Sequence, residues 1–403
     1  MIQLINNKED CCGCGACMAL CPAQAIEMIE DKYGFIYPNI DKEKCIECKL
    51  CKKNCAFQSQ LSDRHNSMYA FAAYNKNDKA RIQASSGGIF EKLGDWFIDN
   101  GGYVAGAILN FDRGGVPYVY HIVSNEKKDL EKMRGSKYVH SDTSKVFDEV
   151  VKILKEGKKV LFSGTPCQIA QIKKLATNNK ENLYTFEILC HGTPSLNMFQ
   201  NATKFWNSKL KGTIKSFKFR DKTLGWGHNI EMFYEKKHHS YRKVMAGGVI
   251  AYSAFFLESR IIRPNCFKCV YAGEARQGDI TVGDYWGIQE FHPEFLKDMD
   301  KGISCLLINT EKGLRLLESN QSDIVMIESS VDNIKLFNGS LNKSNVKNPN
   351  YIVTMETYLA KGYEGLVKMY KEEMGLKWYT YQAKALISPK VKRKIKQILK
   401  SIH

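Results

Sequence analysis

A block of four closely spaced cysteines occurs twice near the start of this chain. The positions are Cys11, Cys14, Cys17 and Cys21, then Cys45, Cys48, Cys51 and Cys55. Each block reads C-x2-C-x2-C-x3-C, and the second block follows the first at a constant offset of 34 residues. A repeat of this kind indicates two similar metal-binding loops within one compact module.

This spacing is that of the bacterial two-cluster ferredoxins, in which the fourth cysteine of each block binds the other block's 4Fe-4S cluster. Zinc knuckles also use C-x2-C pairs, but they do not require two interlocked runs of four cysteines. Gly13 and Gly15 would let backbone N–H groups approach the sulfurs. Cys12 does not fit the spacing, and we expect a packed free thiol there. The predicted ligand sets are Cys11, Cys14, Cys17 and Cys55 for one cluster, and Cys45, Cys48, Cys51 and Cys21 for the other.

The composition favours a globular, cysteine-ligated protein. Fourteen cysteines in 403 residues, with no apolar run before Cys11, argue for metal ligation in a reducing compartment, and we expect the cytoplasm. The uncharged stretch Val244 to Leu257 is too short to span a bilayer, so a soluble protein is expected. The net charge is +16, without a nucleic-acid-binding motif. We therefore expect acidic protein partners or anionic surfaces rather than nucleic acid.

Beyond a polar linker at 58–66, strand-like and helix-like runs alternate, which is typical of an α/β fold. Strands are predicted at 68–74, 103–109, 160–162 and 184–189, and helices at 89–99, 144–156 and 168–175. The expected fold class is α/β (α+β overall). Its parts are a dicluster ferredoxin-like module over 1–60, a mixed-sheet α/β domain over 68–330, and a helical basic region over 331–403.

Four further cysteines come from three distant segments of the second unit. Cys167 and Cys190 each follow a predicted strand, at the edge where open α/β sheets place their sites, and Cys266 and Cys269 form a C-x2-C pair. Together they could supply a third 4Fe-4S cluster, which is the preferred interpretation. A zinc site or a redox-active pair at Cys266 and Cys269 stays open. Cys305 lies in an apolar run and is expected in the core.

The common nucleotide-binding and zinc-hydrolase motifs are absent from the sequence, so any organic cofactor must be held in another way. The segment 85–88 (SSGG) leads into a predicted helix, whose N-terminus favours an anion such as a flavin phosphate or is simply capped. The segments 134–138 (RGSKY) and 220–228 (RDK followed by GWGH) place cations beside glycines and aromatic rings. Each could line a cofactor or form a solvated loop.

Seven segments occur together in an order and separation that resemble the coenzyme F420 hydrogenase/dehydrogenase beta-subunit family. They are SSGG (85–88), RGSKYV (134–139), GTPCQ (164–168), CHGTPS (190–195), RDK with GWG (220–227), C-x2-C (266–269) and DITVGDYWG (279–287). The resemblance covers about 68–330, and some members of the family share the dicluster module in front.

The resemblance implies an oxidoreductase that binds FAD beside a 4Fe-4S cluster. The implied ligands of the inner cluster are Cys167, Cys190, Cys266 and Cys269. His191, Lys137 and Asp284 become candidates for proton handling or for holding the isoalloxazine ring, with a packed structural role as the alternative. The residues implied to surround FAD are Ser86, Gly87, Gly88, Arg134, Ser136, Lys137, Tyr138, Gly164, Thr165, Arg220 and Lys222.

Three functions remain open on the sequence alone. The first is an iron-sulfur flavoprotein oxidoreductase that passes electrons between ferredoxin or another redox protein and a small-molecule substrate. The second is an electron-input subunit that oxidises the reduced deazaflavin coenzyme F420 for a hydrogenase or dehydrogenase. The third is a non-catalytic relay for a biosynthetic enzyme. A flavin is expected between one-electron clusters and any two-electron partner.

The end of the chain is helical and basic in pattern. Ser388 and Pro389 would begin a helix whose apolar residues share one face, among them Val391 and Ile395, while lysines and an arginine occupy the other. Such a helix could dock an acidic partner or lie on an anionic membrane, or pack on its own domain with a solvated charged face.

Overall fold

A computed structural model describes residues 3–58, 64–386 and 391 of the chain. Within these ranges the strands are β1 (Ile26–Glu30), β2 (Ile36–Ile40), β3 (Tyr69–Asn75), β4 (Tyr103–Phe111), β5 (Pro117–Ser124), β6 (Val160–Gly164), β7 (Leu183–Ile188), β8 (Thr213–Lys218), β9 (Asn229–Lys236), β10 (His239–Ala246), β11 (Ile280–Asp284), β12 (Ser304–Ile308) and β13 (Ile324–Ser329).

The α-helices of the same ranges are α1 (Ala16–Ala19), α2 (Leu50–Lys53), α3 (Asp78–Gln83), α4 (Ile89–Asp99), α5 (Lys127–Met133), α6 (Val146–Lys155), α7 (Pro166–Leu175), α8 (Leu196–Leu210), α9 (Ala251–Leu257), α10 (Ile288–Phe291), α11 (Glu311–Glu318), α12 (Val331–Lys335), α13 (Tyr351–Met374) and α14 (Leu376–Leu386). Gly362 has a φ of 61° and kinks α13. A 3-10 helix at Pro264–Lys268 carries Cys266.

The second unit is built on a mixed sheet, as the sequence predicted. Its eight strands within the described ranges are ordered β13-β3-β12-β11-β7-β6-β4-β5. Strands β4, β6, β7 and β11 are parallel, whereas β12 is antiparallel to both β11 and β3. The carboxyl ends of β3, β6, β7 and β11 therefore lie at the same edge as the start of β12.

Buried side chains fix the central elements of this sheet. All five residues of β12 are buried, as expected of a strand with neighbours on both sides and helices over both faces. In α6, the buried residues Val146, Phe147, Val150 and Leu154 recur at helical spacing and pack against β6. Cys305 lies in β12 with no exposed surface, which confirms its predicted place in the core.

A second, three-stranded sheet of order β10-β9-β8 packs beside the first. Its core cluster also contains Phe35 and Tyr37 from the N-terminal module, and Met355 and Leu366 from α13. One hydrophobic cluster thus joins the dicluster module, the central unit and the C-terminal helices. The predicted basic helix that begins at Ser388 lies, apart from Val391, outside the described residues.

None of the helices within the described ranges combines the length and the apolar character needed to cross a membrane.

Candidate functional site

The first cysteine loop contains the short helix α1 and two glycines whose backbone lies in the left-handed region. Gly13 and Gly15 have φ values of 71° and 78°, which residues other than glycine rarely adopt. The backbone N–H of Gly13 donates to Sγ of Cys11 at 3.3 Å, as the sequence predicted for this glycine. A Cβ on Gly13 would also approach the guanidinium of Arg263 to 2.7 Å. The glycine thus serves both the loop and its packing.

The structure brings the last cysteine of the second block to the first loop. Burial and the nearby thiols of Cys11 and Cys55 raise the pKa of Cys17 to about 12. Burial also raises the pKa of Cys55, with Cys11 contributing. Cys55 therefore neighbours the thiols with which the crossed pattern groups it.

The second thiol set lines a small cavity that opens toward the surface. Four of the wall residues are Cys21, Cys45, Cys48 and Cys51, and Cys21 comes from the first block. The remaining wall residues are Pro22, Ala23, Ile26, Ile40, Ile46, Lys49 and Leu50. Soft thiolates in an apolar wall fit the donor chemistry of an iron-sulfur cluster.

The inner cysteines also come together, at the carboxyl edge of the large sheet. Cys167 lies in the first turn of α7 after β6, and Cys190 follows β7. Burial raises the pKa of Cys190 well above its usual value, and the thiols of Cys266, Cys167 and Cys269 raise it further. Three distant segments therefore bring four thiols near one another, at the edge that the positions of Cys167 and Cys190 after strands predicted.

These arrangements leave the ligand assignments as predictions. Among the side chains that the structure describes, no group of three or more His, Cys, Asp or Glu residues is arranged to hold a single metal ion.

Cys12, which lies outside the ligand spacing, occupies the junction between the outer and inner thiols. Its thiol lies near those of both Cys14 of the first loop and Cys167 of the inner set, and these two neighbours shift its pKa in opposite directions. The hydroxyl of Thr165 lies 3.1 Å from Sγ of Cys167 on the other side. The sequence signal for this position was the doubled cysteine at 11–12, which spacing rules alone could not interpret.

Side chains of the second unit hold the first cysteine loop by its carbonyl oxygens. Arg263 donates to the carbonyls of Cys11 at 3.0 Å and Ile36 at 2.6 Å. His140 Nε2 lies 3.2 Å from the Cys12 carbonyl, and the hydroxyl of Thr143 donates to the Cys14 carbonyl at 2.6 Å. The loop is therefore fixed against the sheet edge that carries the inner thiols.

The SSGG segment lies at the same edge, between β3 and α4. The Ser86 hydroxyl donates to the Ile303 carbonyl at 2.8 Å, and the Gly87 N–H donates to Ser304 Oγ at 2.9 Å. A Cβ on Gly87 would lie 2.4 Å from the Ala73 carbonyl oxygen, so packing requires glycine there. Gly88, with φ of 81°, is the N-cap of α4, and no side chain caps that helix.

One hydrogen bond joins the RGSKY segment to SSGG: the backbone N–H of Ser136 donates to the side-chain Oγ of Ser85 at 2.7 Å. The two cations of this segment have protein partners. Arg134 pairs with Glu91 at 3.2 Å and Glu131 at 3.0 Å. The Lys137 ammonium donates to the carbonyls of Lys132, Met133 and Arg134, at the end of α5.

Arg220 and Asp284 form a buried ion pair at the centre of the predicted flavin region. Arg220 Nη2 lies 3.0 Å from Asp284 Oδ1, and Arg220 also donates to the hydroxyl of Tyr138 at 3.0 Å. The indole of Trp226 donates to Asp284 at 2.9 Å. Although burial opposes the charged guanidinium, the Asp284 carboxylate raises the net pKa of Arg220.

Lys222 and His191 complete the set of predicted residues. The Lys222 ammonium donates to three carbonyl oxygens, those of Arg81, Ser86 and Lys301, which ties RDK to SSGG. His191 Nε2 lies 3.1 Å from the Phe256 carbonyl and 3.2 Å from Ser259 Oγ. Burial lowers the pKa of His191, so the neutral ring is favoured.

An aromatic wall that the sequence indicated only in part borders these groups. Trp226 stacks on Trp286 with ring centroids 4.8 Å apart, and His228 lies 5.7 Å from Trp286. Tyr138 stacks on Phe256, with ring centroids 4.8 Å apart.

Gly164 and Thr165 lie at the end of β6, where Thr165 and Gln168 form a capping box for α7. The seven motifs therefore converge on one edge of the sheet.

Comparisons with known proteins find matches for two parts of this chain. Residues 157–333 match the family model for the C-terminal part of the coenzyme F420 hydrogenase/dehydrogenase beta subunit, and residues 10–59 match a 4Fe-4S dicluster domain. An uncharacterised ferredoxin of Methanocaldococcus jannaschii is 35% identical over 54 residues, which cover 13% of this chain and 69% of the ferredoxin. A chain of the F420-reducing [NiFe] hydrogenase complex from Methanosarcina barkeri aligns at 16% identity and a TM-score of 0.43, covering 77% of this chain and 92% of that one.

The dicluster domain and the α/β unit behind it define an iron-sulfur electron-transfer protein of the oxidoreductase class. Residues 157–333 belong to the C-terminal part of the coenzyme F420 hydrogenase/dehydrogenase beta-subunit family, and a 4Fe-4S dicluster domain precedes them.

Proposed function

We propose that this chain is an iron-sulfur flavoprotein that exchanges electrons with a ferredoxin-type carrier and with a two-electron partner. The observation that carries the proposal is the position of the Cys12 thiol, which lies near both Cys14 and Cys167 and so between the first thiol set and the inner one. When bound, 4Fe-4S clusters would supply single-electron transfer, and FAD would supply exchange in pairs.

The contribution of the chain is to fix the three thiol sets in a row. The second set opens toward the surface, where Cys48 is exposed. The first set is held against the sheet edge by Arg263, His140 and Thr143. The inner set lies behind it, beyond Cys12. Short separations maintained by packed side chains are what an electron path requires of a protein.

We further propose that FAD binds along the sheet edge beside the inner thiols. Two features fit this group: the uncapped N-terminus of α4 behind Gly88 would accept a phosphate, and Trp226 and Trp286 offer an aromatic surface for a ring. Lys137 and Lys222 already bind carbonyl oxygens. Their proposed role is therefore to hold the RGSKY and SSGG segments, rather than to neutralise the cofactor directly.

His191 is the residue that we propose for proton handling. If its Nε2 donates to the Phe256 carbonyl, the neutral ring keeps Nδ1 as an acceptor. Asp284 is bound by both Arg220 and Trp226, so its proposed role is to orient the arginine and not to abstract a proton.

A second candidate function is the oxidation of a reduced deazaflavin for a hydrogenase or dehydrogenase partner. The match of residues 157–333 to the F420 hydrogenase/dehydrogenase beta-subunit model favours it. The relay hypothesis differs from both, because it requires no bound flavin.

Anaerobic reduction with three donors separates these functions. Reduced ferredoxin, dithionite and reduced coenzyme F420 are each added to the purified protein, and the flavin and iron-sulfur absorption is followed. Bleaching of both chromophores by ferredoxin but not by F420 supports the flavoprotein proposal, whereas bleaching by F420 supports the second function. Cys190→Ala should interrupt reduction of the flavin by ferredoxin, and Cys305→Ala, which removes a core thiol in β12, is the matched control. A protein without flavin would contradict the proposal.

A further inference from the structure

The second thiol set reaches the protein surface, and its surroundings have the character of a docking site. Cys48 is exposed, whereas the thirteen other cysteines, all within the described residues, are buried or partly buried. The neighbouring apolar side chains Ile46 and Leu50 are 66% and 40% exposed. Both line the cavity that contains Cys48. Exposed apolar side chains next to a predicted redox ligand indicate a surface that a partner covers.

The charge around these residues is predominantly positive. The segment 41–53 carries exposed lysines at five positions, Lys42, Lys44, Lys49, Lys52 and Lys53, against three carboxylates, Asp41, Glu43 and Glu47. Asp41 is paired with Lys44 at 3.2 Å. The lysines outnumber the carboxylates, and Lys49, Lys52 and Lys53 supply the positive part of this face, beside a cluster that would itself bring a charge of about −2. The chain as a whole has a charge of +16, so it also attracts acidic proteins at long range.

Among the described residues, the first thiol set has no exposed cysteine, since Cys11, Cys14, Cys17 and Cys55 are all partly buried. Its loop carbonyls are covered by Arg263, His140 and Thr143 of the second unit. Cys12 lies between the first thiol set and the inner one. A partner that needs to approach a thiol set from solvent therefore has the Cys48 side available.

We propose that the face formed by Ile46, Cys48, Leu50, Lys49, Lys52 and Lys53 is the docking site of a small acidic redox protein. This inference deepens the proposed function, on which it rests, by naming the surface and the charge of the partner. The apolar pair forms the centre of the contact and the lysines form its rim, as in transient interfaces between redox proteins. The lysines accelerate the encounter, and the apolar pair slows dissociation.

The test is a binding measurement that does not depend on turnover. An acidic bacterial two-cluster ferredoxin serves as the probe, with both proteins oxidised, and association is followed by biolayer interferometry at low and high salt. In the triple variant Lys49→Glu/Lys52→Glu/Lys53→Glu, we expect association to be about ten-fold slower or more at low salt. The salt dependence of its association rate should be weaker than that of the unmodified protein. Ile46→Ser should increase the dissociation rate with little effect on association.

The matched control is Lys155→Glu/Lys158→Glu/Lys159→Glu. These exposed lysines end α6 and precede β6, at the sheet edge opposite the thiols, and the change in net charge is the same. The control should bind nearly as the unmodified protein does. Zero-length cross-linking should also join Lys49, Lys52 or Lys53 to ferredoxin carboxylates, as identified by mass spectrometry.

Three outcomes would overturn the docking site: no binding of the ferredoxin at low salt, equal effects of the two triple variants, or no effect of either. Iron content and absorption spectra of the same preparations keep this result separate from the proposed function. Preparations with full iron-sulfur absorption but unchanged binding refute the docking site alone. Lysine-dependent binding by a chain without iron-sulfur absorption refutes the proposed function and retains the docking site.

Discussion

The thiols of Cys12 and Cys167 are neighbours, although Cys12 belongs to the first cysteine loop and Cys167 lies in the first turn of α7 behind β6. The thiol of Cys12 also lies near that of Cys14. Since Cys14 and Cys167 are predicted ligands of different clusters, Cys12 is the protein link between them.

Replacement of Cys12 should affect communication between clusters but not their assembly. Cys12→Ala is expected to retain the iron content of the unmodified protein, because this thiol lies outside the predicted ligand sets. The magnetic interaction between the first and inner clusters should weaken, and reduction of the inner cluster should slow. Electron paramagnetic resonance of the reduced protein and stopped-flow absorption check both effects. Cys305→Ala is the control for loss of a buried thiol. Loss of about four irons from Cys12→Ala would instead make Cys12 a ligand.

The crossed ligand pattern predicts that Cys21 behaves like the cysteines of the second block. Cys21 shares a cavity with Cys45, Cys48 and Cys51. Cys21→Ala and Cys48→Ala should therefore leave the same residual paramagnetic signal after anaerobic purification, and Cys14→Ala should leave a different one. A Cys21→Ala signal that matches Cys14→Ala would contradict the crossing.

Removal of the Asp284 charge should strongly destabilise the fold. Arg220 and Asp284 are only 2% and 12% exposed, so Asp284→Asn leaves a buried cation without its partner. We expect a loss of about 3–5 kcal/mol in the free energy of unfolding, measured by urea denaturation. The double variant Arg220→Met/Asp284→Leu should recover much of this loss, since both charges are removed together. A loss of less than about 1 kcal/mol in Asp284→Asn would show that the pair is not needed for stability.

His121 should make stability depend on pH. Its side chain is buried between Ser141 and the Ser163 carbonyl, and burial lowers its pKa from 6.5 to about 4. The unfolded chain therefore binds a proton that the folded protein does not, and stability falls as pH decreases from 6.5 to 4. The full effect is about 3 kcal/mol.

Urea denaturation between pH 7 and about pH 5 tests this dependence, since that range lies on the descending part of the curve. His121→Gln should show a shallower decrease in stability than the unmodified protein. His239→Gln, at an exposed position, should show the same decrease. Identical slopes for His121→Gln and the unmodified protein would contradict the assignment.

Much of the fold was predictable because local patterns and tertiary packing agree. The predicted helix 89–99 is α4, and the predicted strand 103–109 lies within β4 (Tyr103–Phe111). The β9–β10 hairpin was missed. Its turn places Lys237 and His238 at φ of 49° and 64° without the Asn-Gly or Asp-Gly pair that usually marks such turns.

The site was predictable in its residues but not in their contacts. The spacing of the N-terminal cysteines, and the positions of Cys167 and Cys190 after strands, identified thiols that lie near one another in the structure. The partners of Lys137 and Lys222 are backbone carbonyls, which carry no sequence signal. The position of Cys12 depends on how the module docks on the sheet, through contacts such as Arg263 with Cys11. Such distant contacts cannot be read from spacing.

The most direct test of the account is the iron and flavin content of the protein purified under argon, together with its anaerobic absorption spectrum. Three 4Fe-4S clusters and one flavin predict about twelve irons and one FAD per chain. About eight irons without flavin would retain the dicluster module but contradict both the inner cluster at Cys167, Cys190, Cys266 and Cys269 and the flavin beside it.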